Sequence, residues 1–327
     1  MGVLPAWLRS YRRAWLGSDL VAGLIIWSVV TPQAVAYAQI AGLPPQAGLV
    51  AAPGALLGYA LLGSSRTLVV SATTATAALS AAAVGPLADG DTARFAALSA
   101  ALALVAAVVF AGSGMLRLGG ITDLISKPVL TGFLFGLGLF IAVGQLPALF
   151  GVEGGSGDFF EKAWDLLGEL GNTHGSTLAV GVASVAALVS LRRLAPAPPG
   201  TLLVLVLAIV VSALLDLEGH GVDVVGELPD ALPDPALPDV GWADLGDLLP
   251  AAFGVMVLAT AEGVGVARGL ATQEGYTINV NRELYGFGGA NLLAGVTSGF
   301  VQSGGASQTA AAESAGGKTQ LASIVAA

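Results

Sequence analysis

From Leu20 to Ile40 the chain carries no charged residue, and the runs Phe95 to Gly112 and Thr201 to Leu215 repeat that pattern. At 1.5 Å per helical residue, such segments cross or nearly cross a hydrocarbon core of about 30 Å. Charged residues make up 11% of the 327-residue chain and hydrophobic residues 55%, whereas a soluble domain carries about 25% charge. The sequence therefore specifies an all-α polytopic membrane protein. Arg9, Arg12 and Arg13 precede the first apolar run, but that run is of spanning length and lacks a small-residue cleavage site. It reads as a first span and not as a cleavable signal. The chain has no cysteine, which excludes disulfides, thiolate metal sites and a nucleophilic thiol.

Spans are expected near residues 20–40, 48–62, 67–84, 95–112, 121–147, 176–191, 201–216, 250–270 and 282–299. The stretch "FVQSGGASQTAAAESAGGKTQ", Phe300 to Gln320, follows them. With a cytoplasmic N-terminus, alternation puts Arg66, Arg117, Lys127, Arg192, Arg193, Arg268, Arg282 and Lys318 inside with the three N-terminal arginines. Eleven of the 13 basic residues then share one side, as the positive-inside rule requires of a multi-pass protein of the cell inner (plasma) membrane. Only Arg94 and Lys162 fall outside, among sixteen of the 22 acidic residues. Those acids lie in "GPLADGDT", in the loop with Glu153, Asp158, Glu161, Asp165 and Glu169, and in a long proline-punctuated segment. This last segment reads as an extracytoplasmic linker, residues 217–249. It joins a first repeat, 1–216 with spans 1–7, to a second and incomplete repeat, 250–327, with spans 8–10 and the start of span 11. His174 and His220 also fall in outer loops, which suits neither intramembrane proton transfer nor metal binding.

The two halves echo one another. "DLVAGLIIWSVVTPQAVAYAQIAG" and "DLLPAAFGVMVLATAEGVGVARGLA" both open Asp-Leu, and each carries a polar break about midway: Thr31, Pro32 and Gln33 in one, Thr260 and Glu262 in the other. Downstream, "RTLVVSATTATAALS" and "FVQSGGASQTAAAES" each place an extended stretch before a helix whose first turn is rich in Ser and Thr, the residues that cap helix starts. Matching interrupted segments in two halves indicate an inverted-repeat transporter. Extended backbone at membrane depth must be packed in protein or line a cavity. Two helix starts near mid-membrane supply about one positive charge equivalent. At about 5 Å and an effective dielectric near 20, that attracts a monoanion by roughly 3 kcal/mol. By contrast, "GFLFGLG" reads as a surface for close helix packing. "SAGGKT" is not a phosphate loop, because Ala312 stands where the first glycine belongs.

The chain resembles the membrane part of bacterial sulfate-permease (SulP) family anion transporters. "TPQAVAYAQIAGLPPQAGLVAA" is similar to the family's first-span signature, "SRTLVVSATTATA" to its third and "ISKPVLTGFLFGLGLFIAVGQLPALFG" to its fifth. "QEGYTINVNRELYGFGGANLLAG" with "GASQTAAAESAGGKTQLASIVAA" is similar to its eighth-to-tenth region. The resemblance implies seven plus seven inverted spans, core and gate domains, half-helices 3 and 10, a homodimer and a C-terminal STAS domain, of which this chain covers about ten spans. It also implies an anion site lined by Gln33 and Tyr37 on the first span, Thr73 on the third, and Ser307 and Gln308 on the tenth. Many relatives have arginine where Gln308 stands, so this site lacks a fixed side-chain cation. Glu262 is the implied coupling-ion residue. An ionised Glu at the bilayer centre costs about 2.5 kcal/mol or more, so a proton or sodium ion is expected to neutralise it.

The expected function is secondary transport of a small anion, a dicarboxylate such as fumarate, bicarbonate or sulfate, by proton-coupled symport. The alternatives are a nucleobase permease of the same fold and an anion channel or exchanger. An intramembrane hydrolase using Ser307 would need an adjacent base, and neither histidine is at that depth. No catalytic residue, cofactor, metal or nucleic-acid partner is expected. The expected partners are the anion, a proton or sodium ion, the lipid bilayer and a second copy of the chain.

Overall fold

The computed structural model describes residues 5–9, 11–120, 127–152, 154–155, 159–194, 200–224 and 235–327. Residues 121–126 of the expected fifth span, the loop acids Glu153 and Asp158, and residues 225–234 of the acidic linker lie outside them. The helices are α1 (Ala6–Arg9), α2 (Leu16–Ile40), α3 (Pro45–Leu62), α4 (Thr74–Ala88), α5 (Thr92–Met115), α6 (Lys127–Phe150) and α7 (Phe159–Glu169). They continue with α8 (Gly175–Leu194), α9 (Gly200–Leu215), α10 (Trp242–Gln273), α11 (Val280–Val296), α12 (Ala306–Ser314) and α13 (Leu321–Ala326). Two short strands, β1 (Val70–Ser71) and β2 (Ser303–Gly304), stand just before α4 and α12. Among the described residues, α2 with the turn before it, α3, α5 and α10 are each long and apolar enough to cross a membrane.

The chain forms two compact units, Met1–Ser126 with Pro229–Ala327, and Lys127–Leu228. In the first, α11 is the packing centre, lying against α3 and α5, while α12 and α13 pack on α2. The α3–α11 crossing is a glycine contact. A Cβ on Gly58 would sit 2.3 Å from the Gly289 carbonyl oxygen, and one on Gly289 would sit 2.9 Å from that of Gly58. Lipid tails are as apolar as leucine, so spanning helices associate through such close backbone approach and not through hydrophobic expulsion. Beside it, Phe287 stacks between the buried rings of Tyr59 and Phe110, at 5.7 Å from each. In the second unit α6 packs with α7 and α8, and α8 with α9.

Two fully buried carboxylates pin the first unit. Asp19, in the first turn of α2, accepts hydrogen bonds from the Lys318 and Thr319 N–H groups (2.7 and 3.1 Å) and from the Thr319 hydroxyl (2.6 Å). Glu283, in the first turn of α11, accepts from the Tyr59 and Ser64 hydroxyls and from the Ser64 and Ser65 N–H groups, the latter two at 2.9 Å. Charge-assisted bonds of this kind satisfy a buried carboxylate without a cation.

The structure refines several sequence expectations. The first and eighth spans are continuous helices through their polar midpoints, α2 passing Pro32 and α10 passing Thr260 and Glu262. The hydroxyls of Thr31 and Thr260 donate hydrogen bonds to carbonyls one turn back, Trp27 at 2.8 Å and Met256 at 2.5 Å. The polar groups are thus absorbed without interrupting the ladder. Helix α10 starts at Trp242, inside the segment read as linker, where Asp244 accepts from the Gly241 N–H at 2.9 Å. An acid in the first turn complements the helix dipole. Arg94 pairs with the same Asp244 at 2.9 Å, which places these two residues of the expected outer side together. Among the described residues, Gly132, Gly136 and Gly138 of "GFLFGLG" have nothing within 4 Å of an added Cβ. Finally, the second acidic loop contains a helix, α7, that its loop-like charge pattern concealed.

Truncating Glu283 to Ala leaves four donors from Tyr59, Ser64 and Ser65 without their acceptor. Since one orphaned buried group costs about 1–3 kcal/mol, Glu283→Ala is expected to lose at least about 3 kcal/mol. Thermal unfolding in detergent would show a large fall in melting temperature for Glu283→Ala and a smaller one for Glu283→Gln.

Candidate functional site

The site is built on the strand pair. β1 and β2 run antiparallel, with Val70 opposite Gly304 and Ser71 opposite Ser303. Because each strand leads straight into its helix, α4 and α12 leave the pair in opposite directions with their N-terminal ends joined at it. The pairing extends past the strands. The Gly305 N–H donates to the Val69 carbonyl (3.0 Å), and the Val69 N–H to the Thr309 hydroxyl (3.0 Å), which itself donates to the Gly305 carbonyl (2.6 Å). The remaining backbone of the two extended legs is served by buried amides. Asn291 accepts from the Gln302 N–H (2.9 Å) and donates to the Gln302 carbonyl (3.0 Å). Gln320 donates to the Ser65 and Leu68 carbonyls (3.2 and 2.8 Å). Extended chain persists at this depth because protein, in place of water, satisfies it.

The two helix starts differ in their caps. Thr73 is the N-cap of α4 and forms a reciprocal box with Thr76: its hydroxyl accepts the Thr76 N–H (3.4 Å), and the Thr76 hydroxyl accepts the Thr73 N–H (3.2 Å). This is the pairing that stabilises isolated helix starts. At α12 the N-cap is Gly305, with no side chain to close the turn. Gln308 folds back over it so closely that a Cβ on Gly305 would lie 1.7 Å from Gln308 Oε1. The N–H groups of Thr74 and Ala75, and those of Ala306, Ser307 and Gln308, have no acceptor within their own helices.

All six residues singled out in the sequence belong to the first compact unit, and the structure brings them together. The Gln33 amide donates to the Ser307 hydroxyl at 3.4 Å, which donates to Gln308 Oε1 at 3.3 Å, and Gln308 Nε2 reaches the Ala72 carbonyl at 3.4 Å. Glu262 Oε2 accepts from the Thr73 hydroxyl at 3.4 Å. Tyr37, one turn beyond Gln33 on α2, packs on the cluster that contains Ala72 and Phe300. These contacts are longer than the 2.7–3.2 Å of a settled N–H···O bond, and Gln33 Oε1 is buried without a partner. The side chains are therefore weakly committed to one another, and a ligand could recruit their donors at little cost. Lys318 pairs with Glu274 (3.5 Å) and Arg94 with Asp244, so neither cation serves the site, whose one carboxylate among the described residues is Glu262.

The sequence reading missed the residues that let α10 approach. A Cβ on Gly304 would stand 2.7 Å from the Gly263 Cα, and one on Gly263 would stand 2.5 Å from the Phe287 ring and 3.3 Å from the Gly304 Cα. This two-glycine contact carries Glu262 to within reach of Thr73. A glycine beside an acid inside a long helix, where it costs about 1 kcal/mol relative to alanine, was the available signal. Asn291, Gln302, Thr309 and Gln320, all buried, were also missed, because nothing local marks an amide that serves a distant strand.

Comparison with known proteins follows the same lines. The family model described as Sulfate permease family matches residues 16–327. A probable sulfate transporter of Mycobacterium tuberculosis is 38% identical over 318 residues, 97% of this chain and 57% of its own length. Sulfate transporter 3.1 of Arabidopsis thaliana is 29% identical over 338 residues, 98% of this chain and 51% of its own. Among solved structures, the murine solute carrier 26 family member A9 anion transporter in the inward-facing state matches with a TM-score of 0.91 at 26% identity, over 99% of this chain and 58% of that one. The transmembrane domain of a cyanobacterium bicarbonate transporter, BicA, matches with a TM-score of 0.86 at 23% identity, over 96% of this chain and 81% of that one. The inverted-repeat fold of these transporters is the fold of this chain, which spans little more than half the length of the curated relatives it matches.

Gly304→Ala is expected to push β2 away from α10 and to cost about 1–3 kcal/mol, the usual penalty of overpacking. Unfolding measurements would check the stability loss. A Gly304→Ala protein as stable as the parent would show that the contact is not tight.

Proposed function

Because the chain belongs to the sulfate permease family, we propose that it is a secondary active transporter that carries a small anion across the cell inner membrane. Candidate substrates are a dicarboxylate such as fumarate, bicarbonate and sulfate. The anion sits between the N-terminal ends of α4 and α12, where it accepts hydrogen bonds from the first-turn amides and from Thr73, Ser307, Gln308, Gln33 and Tyr37. The observation that carries this reading is the antiparallel pairing of β1 with β2, which joins two helix starts that point away from each other. Their combined field equals about one positive charge, enough to attract a monoanion by roughly 3 kcal/mol while still allowing release.

Coupling is assigned to Glu262, whose carboxylate touches Thr73, a residue of the anion site itself. A charged Glu at membrane depth costs about 2.5 kcal/mol or more, and a proton travelling with the anion cancels that charge. Proton symport by alternating access follows, with the N-terminus cytoplasmic. The working protein is a homodimer with a C-terminal STAS domain.

The test is radiolabelled-anion uptake into proteoliposomes with imposed proton and sodium gradients. Accumulation against the anion gradient when the proton gradient points inward is the expected result. Equilibration without accumulation would make the protein a channel or exchanger, and preferential uptake of uracil would overturn the anion assignment. Glu262→Gln is expected to abolish proton-driven accumulation and flatten the rise in uptake as external pH falls, while leaving anion exchange intact. Thr73→Ala and Ser307→Ala, each removing one hydroxyl donor, should weaken anion affinity about tenfold, the equivalent of one hydrogen bond to a charged group.

A further inference from the structure

Helix α7 divides its surface three ways. At 100° per residue, Phe160, Trp164 and Leu167 fall within an arc of about 60°, while Glu161, Asp165 and Glu169 occupy a separate polar arc. Leu166, on the remaining side, is buried within the second unit, but Phe160 and Trp164 are 78% and 76% exposed and Leu167 is 62% exposed. Phe160 is held edge-on against Phe159, with ring centroids 5.3 Å apart, so the aromatic stripe has a defined geometry. A tryptophan, a phenylalanine and a leucine left outward on a helix of eleven residues form an apolar face that water does not favour.

The geometry points to the headgroup region of the bilayer as the occupant of this face: we infer that α7 lies along the membrane surface with Phe160, Trp164 and Leu167 directed into lipid. The segment Phe159–Asn172 bends by 117° from Gly175–Leu191 of α8. If α8 stands along the membrane normal, α7 lies within about 30° of the membrane plane, the orientation of interfacial helices. The same unit exposes Val182, Val185 and Val189 on α8, and Leu203 and Leu207 on α9, apolar surface of the kind that spanning helices turn to lipid. Tryptophan beside acidic side chains is suited to the level where hydrocarbon gives way to water. With three acids against Lys162, the polar arc favours a zwitterionic surface over an anionic one.

The absence of cysteine permits a direct test. Phe160→Cys, Trp164→Cys and Leu167→Cys, with Glu161→Cys and Asp165→Cys as internal controls, are spin-labelled one at a time in the intact protein. Each is reconstituted in phosphatidylcholine liposomes. Collision rates with oxygen, which concentrates in lipid, and with a water-soluble nickel chelate are then measured. Oxygen collisions are expected to exceed chelate collisions severalfold at 160, 164 and 167, and the order to reverse at 161 and 165. Chelate dominance at all five positions would overturn the inference. Low accessibility to both reagents at 160, 164 and 167 would also overturn it, by placing protein on this face, a second copy of the chain where dipolar line broadening accompanies it.

Discussion

A backbone amide inside a membrane must find its partner within the protein, and this requirement organises the first unit. Two stretches of chain, ending at Ser71 and Gly304, run extended where a helix would satisfy itself. Each leg completes the other through the β1–β2 pair, and the remaining groups are met by Asn291, Thr309 and Gln320. These three side chains come from two helices, α11 and α12, and from the turn before α13. The broken segments are therefore not loose ends but the place where the surrounding helices are tied together.

The buried carboxylates divide by their environment. Asp19 and Glu283 are surrounded by donors from distant parts of the chain, and they serve as knots between α2 and the α12–α13 turn and between α11 and the end of α3. Glu262 is met by the Thr73 hydroxyl at 3.4 Å and by the Ser303 hydroxyl, beside the converging helix starts. An acid held by several backbone and side-chain donors has its charge accounted for by the fold, whereas one met by hydroxyls alone is left to be balanced by something else. The same contrast separates the α3–α11 crossing, where glycines bring backbones together for packing, from the Gly263–Gly304 contact, where they bring a carboxylate to a site.

Much of this was legible in the sequence, for physical reasons. Hydrocarbon thickness makes spans visible as uncharged runs, and helix starts at Thr74 and Ala306 follow from extended, Ser/Thr-rich turns that cannot continue a preceding helix. The polar midpoints of α2 and α10 were also visible, and hydroxyl-to-carbonyl bonds within one turn absorb Thr31 and Thr260 without breaking the helix. The start of α10 was misplaced because acids that look like loop in a count of charges are favourable at a helix N-terminus. Contacts between backbones at Gly58 and Gly289 leave no local trace, since a glycine's neighbour is set by the fold and not by its flanks.

Gln33, Tyr37, Thr73, Glu262, Ser307 and Gln308 all reside in one compact unit, on four helices pinned to each other by buried acids and paired strands. Because these residues share one unit, the hydrogen-bond chain from Gln33 through Ser307 and Gln308 to the Ala72 carbonyl closes without any residue of Lys127–Leu228.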